Sequence, residues 1–373
     1  MITIAMLAKN ETFILAHTLP PLLKSGLPIV VLDTGSTDGT QAFLQERGVT
    51  VHAFKWTADF AAARNALLAK IKTPWVLFLD ADDYISTRSL KKLERLVKHT
   101  DRTIFWLPVY QNTLDGFEKN VLCNFREKLF RTDQGYHYID RIHESLAGYP
   151  PEELSIRTQI RGAAIYHWGN YQGVHDALHD RKVRNYVRIY EQIENETPPH
   201  QWRDHAYMYL QMAERYRQLS DNKKAMHYYI KSVRALREGV RKVNHYYYLC
   251  RFLLDQGRYD RVRRIVSLIE KRFGKLSKEL YLIKEKTALQ RREFQAAHDA
   301  FQKVLTEKTP VYDMLLESNP YDRVFQPHFY LGFIFELAHH PDEAKKHYLM
   351  ARQIATIPEL EEALDRVLRT AHG

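Results

Sequence analysis

Cysteine is scarce in this chain: Cys123 and Cys250 stand far apart among 373 residues. They form neither a disulfide framework nor a metal-ligand spacing, which fits a reducing compartment. Long hydrophobic runs are also missing, and none approaches the roughly 20 residues that a membrane-crossing helix needs. The start, Met1-Ile2-Thr3, lacks the basic flank and cleavage site of a secretory leader. These absences lead to the expectation of a cytoplasmic protein, with any membrane contact limited to peripheral binding. Acidic residues fall short of basic ones, 45 against 55, for a formal net charge of +10. Such a surplus suits anionic partners, membrane surfaces and nucleic acid among them. The Lys and Arg residues are spread through the second half, however, and read rather as solvated helix faces. No recognised nucleic-acid module accompanies them, so no nucleic-acid partner is expected.

What is present suffices for two domains with a full core. Ile2-Thr3-Ile4-Ala5-Met6-Leu7, Ile29-Val30-Val31-Leu32 and Pro74-Trp75-Val76-Leu77-Phe78-Leu79 read as buried strands, and Val49–Phe54 as a further one. Between them, Gln41–Arg47 reads as a helix capped by Ser36 or Thr37. Asp59–Ile71 reads as a helix with an apolar face at Phe60, Ala63, Leu67 and Ile71. Strands alternating with helices imply an α/β, mostly parallel sheet covered on both faces. Asp80-Ala81-Asp82-Asp83 then falls at the carboxyl end of a strand, where ligands bind in open α/β sheets. Clustered carboxylates repel unless a cation joins them, and Mg²⁺ or Mn²⁺ with a diphosphate suits such oxygen donors. The alternative is a solvated turn before a helix opened by Ser86.

After Trp168-Gly169-Asn170-Tyr171 the strand signals fade. His175–Glu194 reads as a linking helix, and Thr197-Pro198-Pro199 as a break. Helices then come in pairs, around His205–Tyr216 with Asp221–Tyr229, and Tyr247–Leu254 with Gly257–Val262. Glu279–Leu289 pairs with Glu293–Ala297, and Phe329–Leu337 with Pro341–Ala344. The first spacings are close to the roughly 34 residues of a tetratricopeptide repeat, while an insertion around Thr309–Pro327 lengthens the last. Ala213, Ala225, Ala297 and Ala344 allow close packing. Stacked pairs make a short solenoid, suited to acceptor binding, to homodimerisation or simply to packing. The expected division is residues 1–170, an α/β domain; 171–200, a helical linker; and 201–373, an all-α repeat domain.

Four motifs in register carry a resemblance: Lys9-Asn10-Glu11, Leu32-Asp33-Thr34-Gly35-Ser36-Thr37-Asp38-Gly39-Thr40, Asp59-Phe60-Ala61-Ala62-Ala63-Arg64-Asn65 and Leu79-Asp80-Ala81-Asp82-Asp83. Together they resemble the nucleotide-sugar-binding half of family-2 glycosyltransferases with the GT-A fold. Lys128-Leu129-Phe130-Arg131 and Arg141-Ile142-His143-Glu144 resemble a subgroup that includes lipopolysaccharide-core glucosyltransferases and peptide S-glycosyltransferases of bacteriocins. The resemblance implies an inverting, metal-dependent transferase using a UDP-sugar donor and a peptide, protein or cell-envelope glycan acceptor. It implies that Asp33 accepts from the uracil imide, with Asn10 and Glu11 across the same crevice and Arg64 reaching uracil or phosphate. Asp80 and Asp82 would form the metal-binding D-x-D pair, and Asp83 would orient the sugar or cap the next helix. Lys128 and Arg131 would clamp the diphosphate. Glu144 is the first choice of base, then Asp140, with His143 as ligand, acceptor contact or base itself; His167 is a further candidate for closing over the site.

Two absences narrow the reading. The Glu-Asp and Q-x-x-R-W segments of many processive members are missing, which weakens a polymer synthase. Ala8-Lys9-Asn10-Glu11 stands where a sugar nucleotidyltransferase carries a Gly-rich, Arg-containing loop. A non-catalytic repeat scaffold with a degenerate nucleotide-binding head is the remaining alternative, opposed by the intact Asp33, Asp80 and Asp82.

Overall fold

Continuous apolar runs put the first strands in the middle of a sheet, because only a strand covered on both faces can bury every side chain. In the computed structural model β1 (Ile2–Ala8), β2 (Ile29–Asp33) and β4 (Trp75–Asp80) are such strands, and β3 (Thr50–Ala53) is the edge. The structure describes residues 1–111, 123–150, 163–168, 175–198, 204–236, 240–273, 278–306 and 324–370. The chain divides into two compact units, Met1–Lys182 and Val183–Gly373.

The first unit is built on an eight-stranded sheet of order β3-β2-β1-β4-β7-β6-β10-β5. The remaining strands are β5 (Asp83–Ile85), β6 (Ile104–Gln111), β7 (Cys123–Arg131) and β10 (Ile165–His167), with β8 (His137–Ile139) and β9 (Ser145–Ala147) as a separate hairpin. The β3-β2-β1-β4 half is parallel, as the alternation of strands and helices predicts. Beyond it β7 runs antiparallel to both β4 and β6, so the sheet is mixed.

Each face carries its own core. On one, Ile4 and Met6 pack with Leu15 and Leu19 of α1 (Thr12–Ser25) and Leu90 and Leu93 of α4 (Thr87–Leu96). On the other, Ala5 and Phe78 pack with Ala63 and Leu67 of α3 (Phe60–Leu68) and Tyr138 of β8. Asp59 caps α3 by accepting from the Ala62 N–H at 2.8 Å, and Ser86 caps α4 through the Ser89 N–H. The helix α2 (Thr40–Gln45) departs from expectation: its cap position is Gly39, at φ 87°, and no side chain caps it. Ser36 is occupied elsewhere, accepting from the Asn10 N–H at 2.9 Å.

In the second unit the expected helical pairs are all present. They are α6 (His205–Gln218) with α7 (Asn222–Ala235), and α8 (Val240–Asp255) with α9 (Tyr259–Phe273). Next come α10 (Lys278–Gln290) with α11 (Phe294–Thr306), and α12 (Gln326–Leu337) with α13 (Pro341–Arg352). A closing helix, α14 (Pro358–Thr370), follows. The helix read at His175–Glu194 is α5 (His175–Glu196). The insertion read at Thr309–Pro327 lies largely outside the described residues. Ala213, Ala225, Ala297 and Ala344 are all fully buried, as close helix contacts require. The tyrosines are mainly structural: Tyr216, Tyr228 and Tyr229 are buried and hydrogen-bond Glu191, Glu194 and Glu214, respectively. Among the described residues no helix is long and apolar enough to cross a membrane.

Candidate active site

The strand register brings the acidic residues together. Ala8 of β1 stands beside Asp33 of β2, and Leu7 beside Asp80 of β4. Three carboxyl ends therefore share one rim, and β1 lies between β2 and β4. Strand order reverses there, which opens a ligand crevice in an α/β sheet.

Asp33 is held rigidly. Its Oδ1 accepts from the backbone N–H groups of Gly35 and Ser36, each at 2.9 Å, and from Gln41 Nε2 at 2.8 Å. Burial opposes its charge, but hydrogen bonds from Ser36, Gln41 and Gly35 outweigh that and lower its pKa. The residue is 1% exposed, and Oδ2 is buried without a hydrogen-bond partner. A buried carboxylate oxygen with no donor is costly, and a ligand N–H would relieve it. Asn10 and Glu11 fasten this rim. Asn10, at φ 57°, accepts from the Thr37 N–H through Oδ1 at 2.7 Å. The Glu11 N–H donates to Thr40 Oγ1 at 2.9 Å.

The turn after β4 carries the charge cluster. Asp80 Oδ1 accepts from Arg64 Nη2 at 2.8 Å, and Oδ2 from Lys128 Nζ at 3.0 Å. Burial works against the Asp80 charge, yet Lys128 and Arg64 hold its carboxyl well below the usual range. Lys128 Nζ also donates to Asp83 Oδ2 at 2.9 Å, so one ammonium bridges two carboxylates. Despite burial, those two carboxylates raise the pKa of Lys128. The other Asp83 oxygen, Oδ1, lies 2.9 Å from His167 Nδ1, and Asp82 Oδ1 lies 3.5 Å from the same nitrogen. Burial disfavours the imidazolium, but Asp83 and Asp82 outweigh it and raise His167 to about 9.

Arg64 spans the site. Its Nε donates to Glu144 Oε1 at 2.6 Å while Nη2 holds Asp80. Its guanidinium lies over Phe78 and Tyr138. Asn65, one residue on, exchanges two hydrogen bonds with the Tyr138 backbone at 2.7 and 2.8 Å. Asp140, His143 and Glu144 lie in the loop joining β8 to β9, with Asp140 at φ 70° and His143 at φ 54°. That loop is tied to the start of α3 by the Phe60 N–H donating to the Arg141 carbonyl at 2.9 Å.

Of the expected site residues, Arg64, Asp80, Lys128 and Glu144 are joined in one network, with Asp33, Asn10 and Glu11 along the same rim. Arg131 is not among them. Because β7 runs antiparallel to β4, Arg131 pairs with Trp75 at the opposite end of the strand and forms an ion pair with Asp133. Asp83 does not cap α4; it is 1% exposed and holds Lys128 and His167. Ligand atoms of Asp80, Asp83 and His167 lie within 4.8 Å of one another, a donor set that could hold a divalent cation. Asp82, expected as the direct ligand, stands beside this set. The prominence of Asp83 and His167 had one sequence signal: a histidine between aromatics, Tyr166-His167-Trp168, in a short strand.

Comparison with known proteins agrees with this architecture. Residues 3–148 match the family model of Glycosyl transferase family 2. Over 179 residues the chain is 25% identical to the SPbeta prophage-derived glycosyltransferase SunS of Bacillus subtilis, covering 43% of this chain and 42% of that protein. Over 126 residues it is 26% identical to the lipopolysaccharide core biosynthesis glycosyltransferase LpsC of Rhizobium meliloti, covering 32% and 47%. A TPR repeat-containing protein of Synechococcus elongatus is 30% identical over 104 residues, covering 28% and 26%. The matches thus span a quarter to a half of these relatives' lengths. The chain carries a glycosyltransferase family-2 domain fused to a tetratricopeptide-like helical repeat region.

Proposed function

We propose that the family-2 domain is an inverting, metal-dependent transferase that moves a sugar from a UDP-sugar to a peptide, protein or envelope-glycan acceptor. One observation carries the reading: the charge balance of the site. Asp80, Asp82, Asp83 and Glu144 face Arg64, Lys128 and His167. Among the described residues of this network, four carboxylates face three cationic groups, an excess of negative charge. A diphosphate would be repelled unless a further cation accompanied it. Asp80, Asp83 and His167, with Asp82 adjacent, would hold that cation; Mg²⁺ or Mn²⁺ suits the oxygen-rich set. When bound, it supplies Lewis-acid stabilisation of the leaving diphosphate.

The protein's own groups do the rest. The unpartnered Oδ2 of Asp33 accepts the imide N–H of uracil. That contact selects uracil over bases presenting no donor there, since an unmet buried carboxylate is penalised. Glu144 is the base. Its Oε1 is taken by Arg64, which fixes the carboxylate and leaves Oε2 to receive the proton. The acceptor oxygen or sulfur bonds to the anomeric carbon as that carbon's bond to the diphosphate oxygen breaks. The electron pair leaves with UDP, and in-line displacement inverts the centre. A thiol acceptor would need less of Glu144 than a hydroxyl. Asp140 and His143, on the same loop, are the secondary candidates for contact with the acceptor. The isolated cysteines support action in a reducing cytosol, and the helical repeats favour a peptide or protein acceptor.

Lys128 supports a second reading. Its ammonium already bridges Asp80 and Asp83, the role otherwise given to a metal. Release of UDP from a panel of UDP-sugars, measured with Mn²⁺ and with EDTA, separates the readings. Metal-dependent release that falls in Glu144→Gln supports the first. EDTA-insensitive release selects the second, and no release from any donor returns the domain to a non-catalytic head.

A further inference from the structure

Far from the acidic rim in sequence, the last helical pair holds an unusual contact. His328 is on α12 and His347 on α13, and their Nδ1 atoms lie 2.8 Å apart. The ring centroids are 5.1 Å apart with a 36° tilt. Two imidazole nitrogens at this distance must divide one proton, so one Nδ1 donates and the other accepts. Protonation of both would place two cations in contact. Burial and the neighbouring His347 accordingly hold His328 down at about 4, and His347 is lowered too, first by burial. The accepting Nδ1 presents a lone pair, the atom through which an imidazole ligates metals.

The surroundings add charge and rigidity. Glu343 lies one turn before His347 on the same helix face, near enough that its charge favours protonation of His347. Lys346, 3.6 Å from Glu343, and His298 of α11 act in the opposite sense. Phe335 of α12 stacks on His347 at 5.4 Å and stands at right angles to the ring of His298, 5.6 Å away. His347 is thus locked in its rotamer by packing, as metal sites require.

We propose that His328 and His347 form a transition-metal site that cross-links α12 to α13, with solvent completing the coordination. Two imidazoles favour Zn²⁺, Co²⁺, Ni²⁺ or Cu²⁺ over Mg²⁺. Two nitrogens on one tetrahedral ion lie about 3.3 Å apart, given metal–nitrogen bonds near 2.0–2.1 Å. The pair need open by only about half an ångström. The proton on the donating Nδ1 moves to Nε2 of the same ring, so both Nδ1 lone pairs face the ion and no net proton is lost from the pair.

The test uses the full chain in excess Mg²⁺, which occupies oxygen-rich sites, titrated with Co²⁺. Expected are visible d–d bands of a four-coordinate ion saturating at one equivalent, and a raised melting temperature. His328→Asn keeps a hydrogen-bonding partner for His347 but removes the ligand, and should weaken Co²⁺ binding by at least about tenfold. Absence of the bands in the parent protein, or equal binding by His328→Asn, overturns the site. Should that variant not fold, oxidation of the parent chain by Cu²⁺ and ascorbate decides. Oxidised histidine concentrated at positions 328 and 347 supports the site, and oxidation elsewhere overturns it.

Discussion

Glu285→Gln should stabilise the helical unit, and by more at higher pH. Glu285 lies on α10 with no solvent exposure, and both carboxylate oxygens lack a hydrogen-bond partner. Burial pushes its carboxyl up to about 10 from the ordinary 4.5, with Lys286 opposing weakly. The sign follows from proton counting. Between pH 4.5 and 10 the native chain keeps a proton that the unfolded chain has lost. Stability therefore falls as pH rises through that window, by about 1.4 kcal/mol per unit. Glutamine fills the same space and has no proton to keep. The variant should gain about 1 kcal/mol at pH 5 and about 3 kcal/mol at pH 7. Urea unfolding of the full chain, followed by far-ultraviolet dichroism at both pH values, measures the difference. A gain independent of pH, or a loss at pH 7, would refute the reasoning by showing that Glu285 is ionised and satisfied in the native state.

Other substitutions probe packing and charge. A Cβ at Gly332 would meet the Tyr348 ring at 2.6 Å, so Gly332→Ala should cost about 1–3 kcal/mol, read in the same unfolding assay; an unchanged midpoint would contradict the tight α12–α13 contact. Asp83→Asn removes the charge that Lys128 and His167 share. The His167 imidazole should then titrate at least about one unit lower by NMR, and an unmoved titration would exclude Asp83 as the cause of its raised value. His167 titrates at about 9 and must lose a proton to ligate. Mn²⁺ affinity should therefore climb between pH 6.5 and 8.5, by up to about tenfold per unit; calorimetry showing no pH dependence would remove His167 from the donor set.

How much could be read beforehand depended on the kind of signal. The runs at Ile2–Leu7, Ile29–Leu32 and Trp75–Leu79 are legible because a strand buried on both faces needs apolar residues without interruption. The helical pairs are legible from periodicity and small residues such as Ala213 and Ala225. Strand direction is not written that way. Lys128 and Arg131 belong to one strand and carry the same charge, yet the antiparallel course of β7 delivers Lys128 to Asp80 and sends Arg131 to Trp75. The turn at Asp80–Asp83 could present any of its three carboxylates. The choice of Asp83 as the buried one depends on His167, 84 residues away. The exchange of Ser36 for Gly39 at the start of α2 has a similar origin, since the Ser36 hydroxyl accepts from the Asn10 N–H, in the turn that follows β1.

The central claim is that the rim of β1, β2 and β4 binds a uridine diphosphate through Asp33 and a divalent cation at the Asp80–Asp83–His167 cluster. Isothermal titration of the purified chain with UDP and with CDP, whose cytosine N3 carries no proton, each with and without Mn²⁺, tests it most directly. The account predicts binding of UDP that requires Mn²⁺ and is much weaker for CDP. Equal binding of the two nucleotides, or no binding of either with Mn²⁺ present, would contradict it.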